Sequence, residues 1–149
     1  MVDHGGPSRV AIVTGSASGI GRAAALRLAK DGYSVACLDV DEGGAASAAE
    51  EIRSLGGTGL GLHLDVSSEL DVTTTFFEVR AELGPVRALV HSAGILNVEP
   101  ALDLGAKAWR EVLDVNLTGT FLCDQAAARL MVADSSSGRI VNIASVHSQ

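Results

Sequence analysis

Residues 14–21 have the types and the spacing of a phosphate-binding turn. They read Thr-Gly-Ser-Ala-Ser-Gly-Ile-Gly, between the apolar run 10–13 and a segment of helical spacing that continues to Lys30. A strand, a glycine turn and a helix in this order direct free backbone N–H groups and the positive end of the helix dipole at a pyrophosphate. Gly15 would form the tight turn, Gly19 would let the phosphates approach the backbone, and Gly21 would let the helix pack on the strand. The alternative is an ordinary glycine-rich turn.

The spacing of these glycines is G-x-x-x-G-x-G, whereas most dinucleotide-binding folds have G-x-G-x-x-G. With Thr14 before it and Ile20 inside it, this variant resembles the cofactor motif of the short-chain dehydrogenase/reductase family. The resemblance implies a site for a nicotinamide dinucleotide. The residues that it predicts to contact the cofactor here are Gly15, Ser16, Ser18, Gly19, Ile20 and Gly21.

Asp39 closes the second predicted strand, 18 residues after Gly21. A carboxylate at this place accepts hydrogen bonds from both ribose hydroxyls of an adenosine and repels a 2′-phosphate. Family members that prefer NADP usually carry a basic residue at the position of Ser18 or Val40, and neither is basic here. Arg22 is expected to point into the helix and not toward the strand end. The sequence therefore predicts NAD, with NADP less favoured; the alternative is a helix-capping Asp in a solvated turn.

Asp65 and Val66 close the third predicted strand. The resemblance implies that this pair meets the adenine, the acid through its side chain and the valine by apolar contact. The alternative is an N-terminal cap for the helix expected to begin at Ser67, and both interpretations can hold together.

Residues 91–94 close the fourth predicted strand and read His-Ser-Ala-Gly, where the family usually shows Asn-Asn-Ala-Gly. Ala93 and Gly94 match, and the resemblance implies that they let the cofactor lie close to the backbone. Ser92 can supply a hydrogen bond in place of an amide, with shorter reach. We interpret His91 as a structural histidine with satisfied hydrogen bonds; a catalytic histidine is the alternative.

Asn116 lies in a predicted helix although Asn is unfavourable in a helix interior. The spacing of Leu113, Leu117 and Thr120 places it on the apolar face, and a buried amide is costly without hydrogen-bond partners. This resembles the family's helix motif, in which the Asn sits at a local distortion and its backbone helps to hold a water of the proton relay. The alternative is a polar contact between helices.

Ser145 follows the fifth predicted strand, residues 139–144, close to the family's substrate-orienting serine. The resemblance implies that its hydroxyl donates to the substrate oxygen as charge develops there. Asn116 and Ser145 are the predicted catalytic residues, and no metal ligands are predicted because C-x-x-C and H-x-x-x-H spacings do not occur.

The family's chemistry depends on a Tyr-x-x-x-Lys pair on the helix after this strand. The tyrosine is the general acid and base, and the lysine lowers its pKa and holds the nicotinamide ribose. The 149 residues end four residues past Ser145, and their one tyrosine, Tyr33, precedes the second strand. The resemblance thus covers essentially the whole chain but only the first part of a family domain. We expect this chain alone to be inactive; His147 is the one titratable group near Ser145 whose ordinary pKa would let it act as a base instead.

Apolar runs and turn residues predict strands alternating with helices. The predicted strands are residues 9–14, 34–38, 59–64, 86–90 and 139–144. The predicted helices are residues 20–31, a segment capped by Asp41 that runs to Leu55, a segment capped by Ser67 that stops at Gly84, and residues 107–132.

Strands that are apolar on both faces and alternate with helices imply a doubly wound, Rossmann-like α/β fold with a parallel sheet. Right-handed crossovers give the strand order 3-2-1-4-5, truncated before the family's last strands. Residues 1–149 are expected to form one incomplete dinucleotide-binding domain. The polar residues named above follow strand after strand, at the edge where ligands bind in such sheets.

Composition excludes several classes of partner. The formal net charge of −7 and the absence of a Lys or Arg patch argue against nucleic acid and anionic membrane. No window is apolar enough to cross a membrane, and the first nine residues lack the apolar region of a secretory signal. Cys37 and Cys123 lie in apolar segments and are expected to be buried thiols of a cytoplasmic protein.

The predicted function is transfer of a hydride between NAD(H) and a secondary alcohol or ketone of the polyol, sugar, steroid or 3-oxoacyl type. The alternative is a non-catalytic nucleotide-binding fragment or an inactive truncated gene product. A small-molecule substrate is expected, and a homo-oligomer, dimer or tetramer, when full length. The fifth strand is expected to form an exposed apolar edge and the last helix to expose Trp109, Leu113 and Leu117, so that the chain alone tends to associate.

Overall fold

The computed structural model describes residues 9–145 of the chain, and His147, for which a role as a base was considered, lies outside these residues. Five parallel strands form one sheet in the order β3-β2-β1-β4-β5, which confirms the predicted order. The strands are β1 Val10–Thr14, β2 Ser34–Asp39, β3 Gly59–His63, β4 Val86–His91 and β5 Arg139–Asn142. β5 is shorter than predicted, although the N–H of Ile143 still donates to the carbonyl of His91 at 2.9 Å.

Helices connect the strands and cover both faces of the sheet. They are α1 Gly19–Lys30, α2 Glu42–Ser54, α3 Glu69–Leu83, α4 Ala106–Leu113 and α5 Gly119–Ala133, with a π-helical segment, Asp114–Thr118, between the last two. On one face, apolar residues of the strands pack against α3 and α5, with Phe76 and Cys123 fully buried among them. On the other face, Val13, Val35 and Cys37 pack against small residues of α1 and α2. The burial of both cysteines confirms their prediction as buried thiols.

The first residues of α2 and α3 show how local hydrogen bonds set the start of a helix. Asp41 caps α2 as predicted, because its carboxylate accepts from the N–H of Gly44 at 3.0 Å. The prediction that Ser67 caps the next helix is wrong by one residue. Ser68 is the cap of α3, and Ser67 instead donates its N–H and its hydroxyl to the carboxylate of Asp65, which holds it in the preceding turn.

The single long helix predicted over residues 107–132 is interrupted. α4 ends at Leu113, and the five residues of the π-helical segment shift the backbone hydrogen-bond register before α5 begins at Gly119. Asn116 and Leu117 are exposed, so the prediction of a buried Asn116 on the apolar face is wrong, whereas the expected exposure of Leu117 is confirmed. The local distortion that the family resemblance implies at Asn116 is present.

Candidate functional site

A cleft of about 670 Å³ opens at the carboxyl ends of the strands. It lies where β1 and β4 are neighbours and the strand order reverses, which is the place where doubly wound sheets bind their ligands. Its volume is within the range of roughly 300–1,000 Å³ that is usual for small-molecule sites. Nine of the predicted site residues line it: Gly15, Ser18, Gly19, Ile20, Asp39, Asp65, Val66, Ala93 and Gly94.

The glycine turn forms the floor of this cleft. Gly15 has a φ of +66°, and a Cβ there would lie 2.7 Å from the backbone nitrogen of Ala93, so the turn needs glycine both for its conformation and for its approach to β4. Gly19 has a φ of +53°, and no atom lies within 4 Å of the position of its Cβ. Its backbone therefore faces open space, as close approach of a phosphate requires.

Two residues of the motif support the turn from behind and do not line the cleft. A side chain at Gly21 would collide with the carbonyl oxygen of Gly15, so α1 packs closely on the glycine turn as well as on the strands. Ser16 is fully buried, and its N–H and its hydroxyl both donate to the carbonyl of Leu38 at 3.2 Å. Both residues shape the cleft through the turn.

The amino end of α1 points its backbone N–H groups at the cleft. Ser18 is the N-cap residue in an extended conformation, and its side chain makes no capping hydrogen bond. The N–H of Arg22 donates to the carbonyl of Ser18 at 3.1 Å, which leaves the earlier N–H groups of the first turn without intrahelical acceptors. An uncapped helix start lined by glycine is suited to an anion.

Asp39 braces the glycine turn and lines the cleft at the same time. Its Oδ2 accepts from the N–H of Ala17 at 2.9 Å, and its Oδ1 accepts from the N–H of Asp41 at 3.0 Å. Each carboxylate oxygen has a second acceptor site, so ribose hydroxyls can still be bound. The alternative role as a helix cap is taken by Asp41.

Arg22 points away from Asp39, as expected. Its guanidinium donates to Glu51 at 2.8 Å and to Ser47 at 3.3 Å, both on α2. The cation nearest to the glycine turn in the sequence is therefore already paired with a carboxylate.

Asp65 and Val66 form another wall of the cleft. Asp65 Oδ1 accepts from the N–H of Ser67 at 2.9 Å and from its hydroxyl at 2.6 Å, so Asp65 holds the turn before α3, while the helix cap considered from the sequence is Ser68. Asp65 also lines the cleft, and the two roles coexist. Val66 is buried against Gly119, where a Cβ would lie 2.8 Å from the valine Cγ2.

His91 lies below the cleft and does not line it. It is 3 % exposed, and its Nδ1 is 3.0 Å from Thr14 Oγ1, which also accepts from the N–H groups of Ser92 and Ala93 at 3.2 Å. Burial lowers the pKa of His91, and the charge of Asp124 acts weakly in the opposite direction. We predicted a structural histidine with satisfied hydrogen bonds. Nδ1 has such a bond, but Nε2 has no hydrogen-bond partner among residues 9–145.

The two predicted catalytic residues do not line the cleft. The exposed amide of Asn116 is bonded to both backbone groups of Ile95, which does line it: Oδ1 accepts from the N–H and Nδ2 donates to the carbonyl, each at 2.8 Å. Its side chain therefore holds the rim of the cleft and makes no contact between helices. Ser145 is exposed three residues past the end of β5.

Three residues of the cleft wall were not among the site residues predicted from the sequence. Glu111 and Val115 line the cleft from α4 and the π-helical segment, and Ile143 lines it just past β5. The four-residue spacing of Glu111 and Val115 on one helix face, directly before Asn116, was the available signal.

Other kinds of site are not indicated within the described part of the chain. Residues 9–145 contain no group of three or more His, Cys, Asp or Glu side chains placed to hold a metal ion. None of the helices within the same range is long and apolar enough to cross a membrane.

A doubly wound parallel sheet with a glycine turn after its first strand and an acid after its second defines the class of Rossmann-like nucleotide-binding folds. The sequence profile described as short chain dehydrogenase matches residues 9–149. The chain belongs to the short-chain dehydrogenase/reductase family, whose members are oxidoreductases that bind NAD(P), and this confirms the resemblance.

Curated relatives and solved structures agree with this assignment. The chain is 39% identical to the D-threitol dehydrogenase of Mycolicibacterium smegmatis, over 92% of the chain and 52% of the relative. It is also 39% identical to the human (3R)-3-hydroxyacyl-CoA dehydrogenase, over 93% and 56%. The crystal structure of the sorbitol-6-phosphate 2-dehydrogenase SrlD from Erwinia amylovora superposes with a TM-score of 0.87 at 32% identity, covering 93% of this chain and 57% of that one. The chain spans about half the length of the curated relatives it matches.

Proposed function

We propose that this chain binds NAD in the cleft and forms the cofactor-binding part of an oxidoreductase that passes a hydride between NAD(H) and a secondary alcohol or ketone. The observation that carries the proposal is the placement of the Asp39 carboxylate in the same cleft as the uncapped start of α1. One group suits the ribose hydroxyls and the other suits a pyrophosphate.

The residues present fit a dinucleotide along the length of the cleft. Gly15 and Gly19 give the phosphates access to the backbone, and Asp65 with Val66 offers a polar and an apolar contact for the adenine. Ala93 and Gly94 line the continuation past β4 with backbone and small side chains. We place NAD there in that order from the chemistry of these groups.

Three features support NAD over NADP. The Asp39 carboxylate would repel a 2′-phosphate at the ribose. Arg22 is paired with Glu51 at 2.8 Å and is not free to neutralise such a phosphate. Val40 and Ser18 line the cleft at the positions where a cation would help, and both are neutral.

When bound, NAD supplies the nicotinamide that accepts or returns the hydride. On this chain we propose that the Ser145 hydroxyl donates a hydrogen bond to the substrate oxygen, and that Asn116 maintains the rim through Ile95 and contributes its backbone to the relay. Neither side chain can accept the proton of an alcohol at neutral pH. In the family that step belongs to the tyrosine of Tyr-x-x-x-Lys, which these 149 residues do not contain.

The relatives support a secondary alcohol as the substrate class. One is named for a polyol, one for a 3-hydroxyacyl thioester and one for a sugar-alcohol phosphate. Polyol, sugar, steroid and 3-oxoacyl substrates all remain within the proposal.

We also propose that the full-length protein is a cytoplasmic homo-oligomer. Trp109, Leu117 and Phe121 are all more than half exposed along α4, the π-helical segment and α5, which is a surface that another copy can cover. The buried thiols of Cys37 and Cys123 are consistent with a reducing compartment.

Calorimetric titration of NAD and of NADP tests the cofactor proposal. We expect NAD to bind at least about tenfold more tightly, a difference of about 1.4 kcal/mol. In Asp39→Ala the difference between the affinities for NAD and NADP should become smaller, because the carboxylate that repels the 2′-phosphate is gone. Asp31→Ala is the matched control, since Asp31 is an exposed acid at the other end of α1, bonded to Arg27. Equal or tighter binding of NADP by the unsubstituted chain would overturn the assignment of Asp39.

A further inference from the structure

Two buried polar atoms on one face of the sheet have no hydrogen-bond partner among residues 9–145: His91 Nε2 and Asp124 Oδ1. A buried donor or acceptor without a partner is costly, so such atoms are rare in folded proteins. Their occurrence together on neighbouring elements calls for a common explanation.

The register of the strands places these two residues in one polar row. Thr14, His91 and Asn142 are direct neighbours across β1, β4 and β5, so their side chains share one face of the sheet. Asn142 Nδ2 donates to Asp124 Oδ2 at 2.7 Å, which brings the helix α5 carboxylate over this row. Asp124 is also the charged group whose field acts on the His91 ring.

The hydrogen bonds of Thr14 decide which nitrogen of His91 carries the proton. Thr14 Oγ1 accepts from the N–H groups of both Ser92 and Ala93, and these occupy its two acceptor sites. Its own hydroxyl proton is then directed at His91 Nδ1, 3.0 Å away. Nδ1 is therefore an acceptor, and the neutral ring carries its proton on Nε2.

The two unpartnered atoms are thus complementary, since one is a donor and the other an acceptor. We propose that one bound water accepts a hydrogen bond from His91 Nε2–H and donates one to Asp124 Oδ1, and that the network Thr14–His91–Asp124–Asn142 positions the edge of the cleft. His91 and Asp124 are positioning residues: they act through Thr14, which holds the backbone of Ser92 and Ala93 beside Gly15.

This network connects the carboxyl ends of β1, β4 and β5. The first two carry residues of the cleft, and β5 leads to Ser145. It takes the place of the two amides that the family usually has at the positions of His91 and Ser92. Its effect on NAD binding rests on the proposed function, whereas its protonation state does not.

Long-range ¹H–¹⁵N spectra of the nucleotide-free chain test the network itself. The His91 signals, assigned by their loss in His91→Asn, should show an unprotonated Nδ1 and a protonated Nε2 whose proton exchanges slowly. Asp124→Leu should speed the exchange of this proton. In Asp124→Asn, which retains an acceptor oxygen, the exchange should remain slower than in Asp124→Leu. Glu78→Gln, an exposed acid on α3, is the control. A proton on Nδ1, or exchange unchanged in Asp124→Leu, overturns the proposal, and the first result needs no substitution of Asp124.

Titration of NAD into the same variants tests the positioning role. Asp124→Leu should weaken NAD binding about fivefold, the loss expected for about one net hydrogen bond, and Asp124→Asn should weaken it less. The double variant His91→Leu/Asp124→Leu should lose no more than His91→Leu alone, because the two residues act as a unit. Unchanged NAD affinity in Asp124→Leu would overturn the positioning role. Absence of NAD binding by the unsubstituted chain, with the expected His91 spectrum, would instead refute the proposed function and leave the network intact.

Discussion

Asn116 holds Ile95 through both atoms of its amide, at 2.8 Å each, and so fastens the π-helical segment to the loop that follows β4. A Cβ at Gly94 would lie 3.3 Å from Asn116 Oδ1, so the loop approaches the amide closely. The polar residue that the sequence placed in an apolar interface thus joins two parts of the cleft rim.

Asn116→Ala should release this rim. Both hydrogen bonds are exposed to water, so we expect a loss of only about 1 kcal/mol in the free energy of unfolding. The amide proton of Ile95 should lose most of its protection in hydrogen exchange. Asn97→Ala is the control, since Asn97 Oδ1 accepts from the N–H of Glu99 within the same loop. Unchanged protection of the Ile95 amide proton in Asn116→Ala would show that the Asn116 side chain does not hold the rim.

The strands of the sheet could be predicted from the sequence because each strand is marked by residues that are adjacent in the sequence. Apolar runs such as residues 10–13 and 35–38 are buried on both faces, and right-handed crossovers through helices restrict such strands to a few doubly wound orders. The cap of α2 was likewise visible, because Asp41 bonds only three residues ahead.

The features that sequence reasoning missed depend on contacts between distant segments. The π-helical segment changes the hydrogen-bond register without changing the apolar spacing, so Asn116 was predicted on the wrong side. The partner of Asn116 lies 21 residues away in a loop, and the partner of the buried Ser16 lies 22 residues away on β2. No periodic pattern encodes either contact.

Acid should destabilise the protein through His91. Burial holds the pKa of His91 below its ordinary value of 6.5 in the folded state, so below that pH the unfolded chain binds more protons and stability falls. The contribution is fully present above pH 6.5 and is lost as the pH falls through the folded-state pKa. Urea unfolding from pH 7 downward should therefore show a smaller loss of stability in His91→Asn. Equal pH dependence in His91→Asn and in the unsubstituted chain would contradict this account.

The two cysteines should be inert in the folded state. Burial raises the pKa of the Cys37 thiol to about 11, and burial together with the charge of Asp124 raises that of Cys123 to about 12. At neutral pH both are protonated and inaccessible, so alkylation by iodoacetamide, followed by mass spectrometry, should proceed at the rate of unfolding and accelerate in urea. Rapid labelling of either cysteine without urea would show that the packing against α2 or α5 is looser than described.

We expect no NAD-linked oxidation of secondary alcohols by these 149 residues. Their one tyrosine, Tyr33, directly precedes β2 at the amino edge of the sheet, opposite the cleft, and the residue at the Tyr-x-x-x-Lys spacing after it is Cys37. General acid–base catalysis contributes roughly a hundred- to ten-thousand-fold, which Asn116 and Ser145 cannot supply. Absorbance of the reduced nicotinamide with a panel of secondary alcohols measures this directly. Turnover that disappears in His147→Ala would show that His147 acts as the base.

The most direct test of the nucleotide site compares Gly19→Ala with Gly56→Ala. Both glycines have a positive φ, +53° and +85°, and at neither would the new Cβ meet an atom within 4 Å. Each substitution should therefore cost a similar backbone strain of roughly 1–2 kcal/mol, but only Gly19 lines the cleft. Calorimetric titration should find NAD binding weakened at least about tenfold in Gly19→Ala and retained in Gly56→Ala. Equal NAD affinity in the two variants, or none in the unsubstituted chain, would contradict the assignment of this cleft to the dinucleotide.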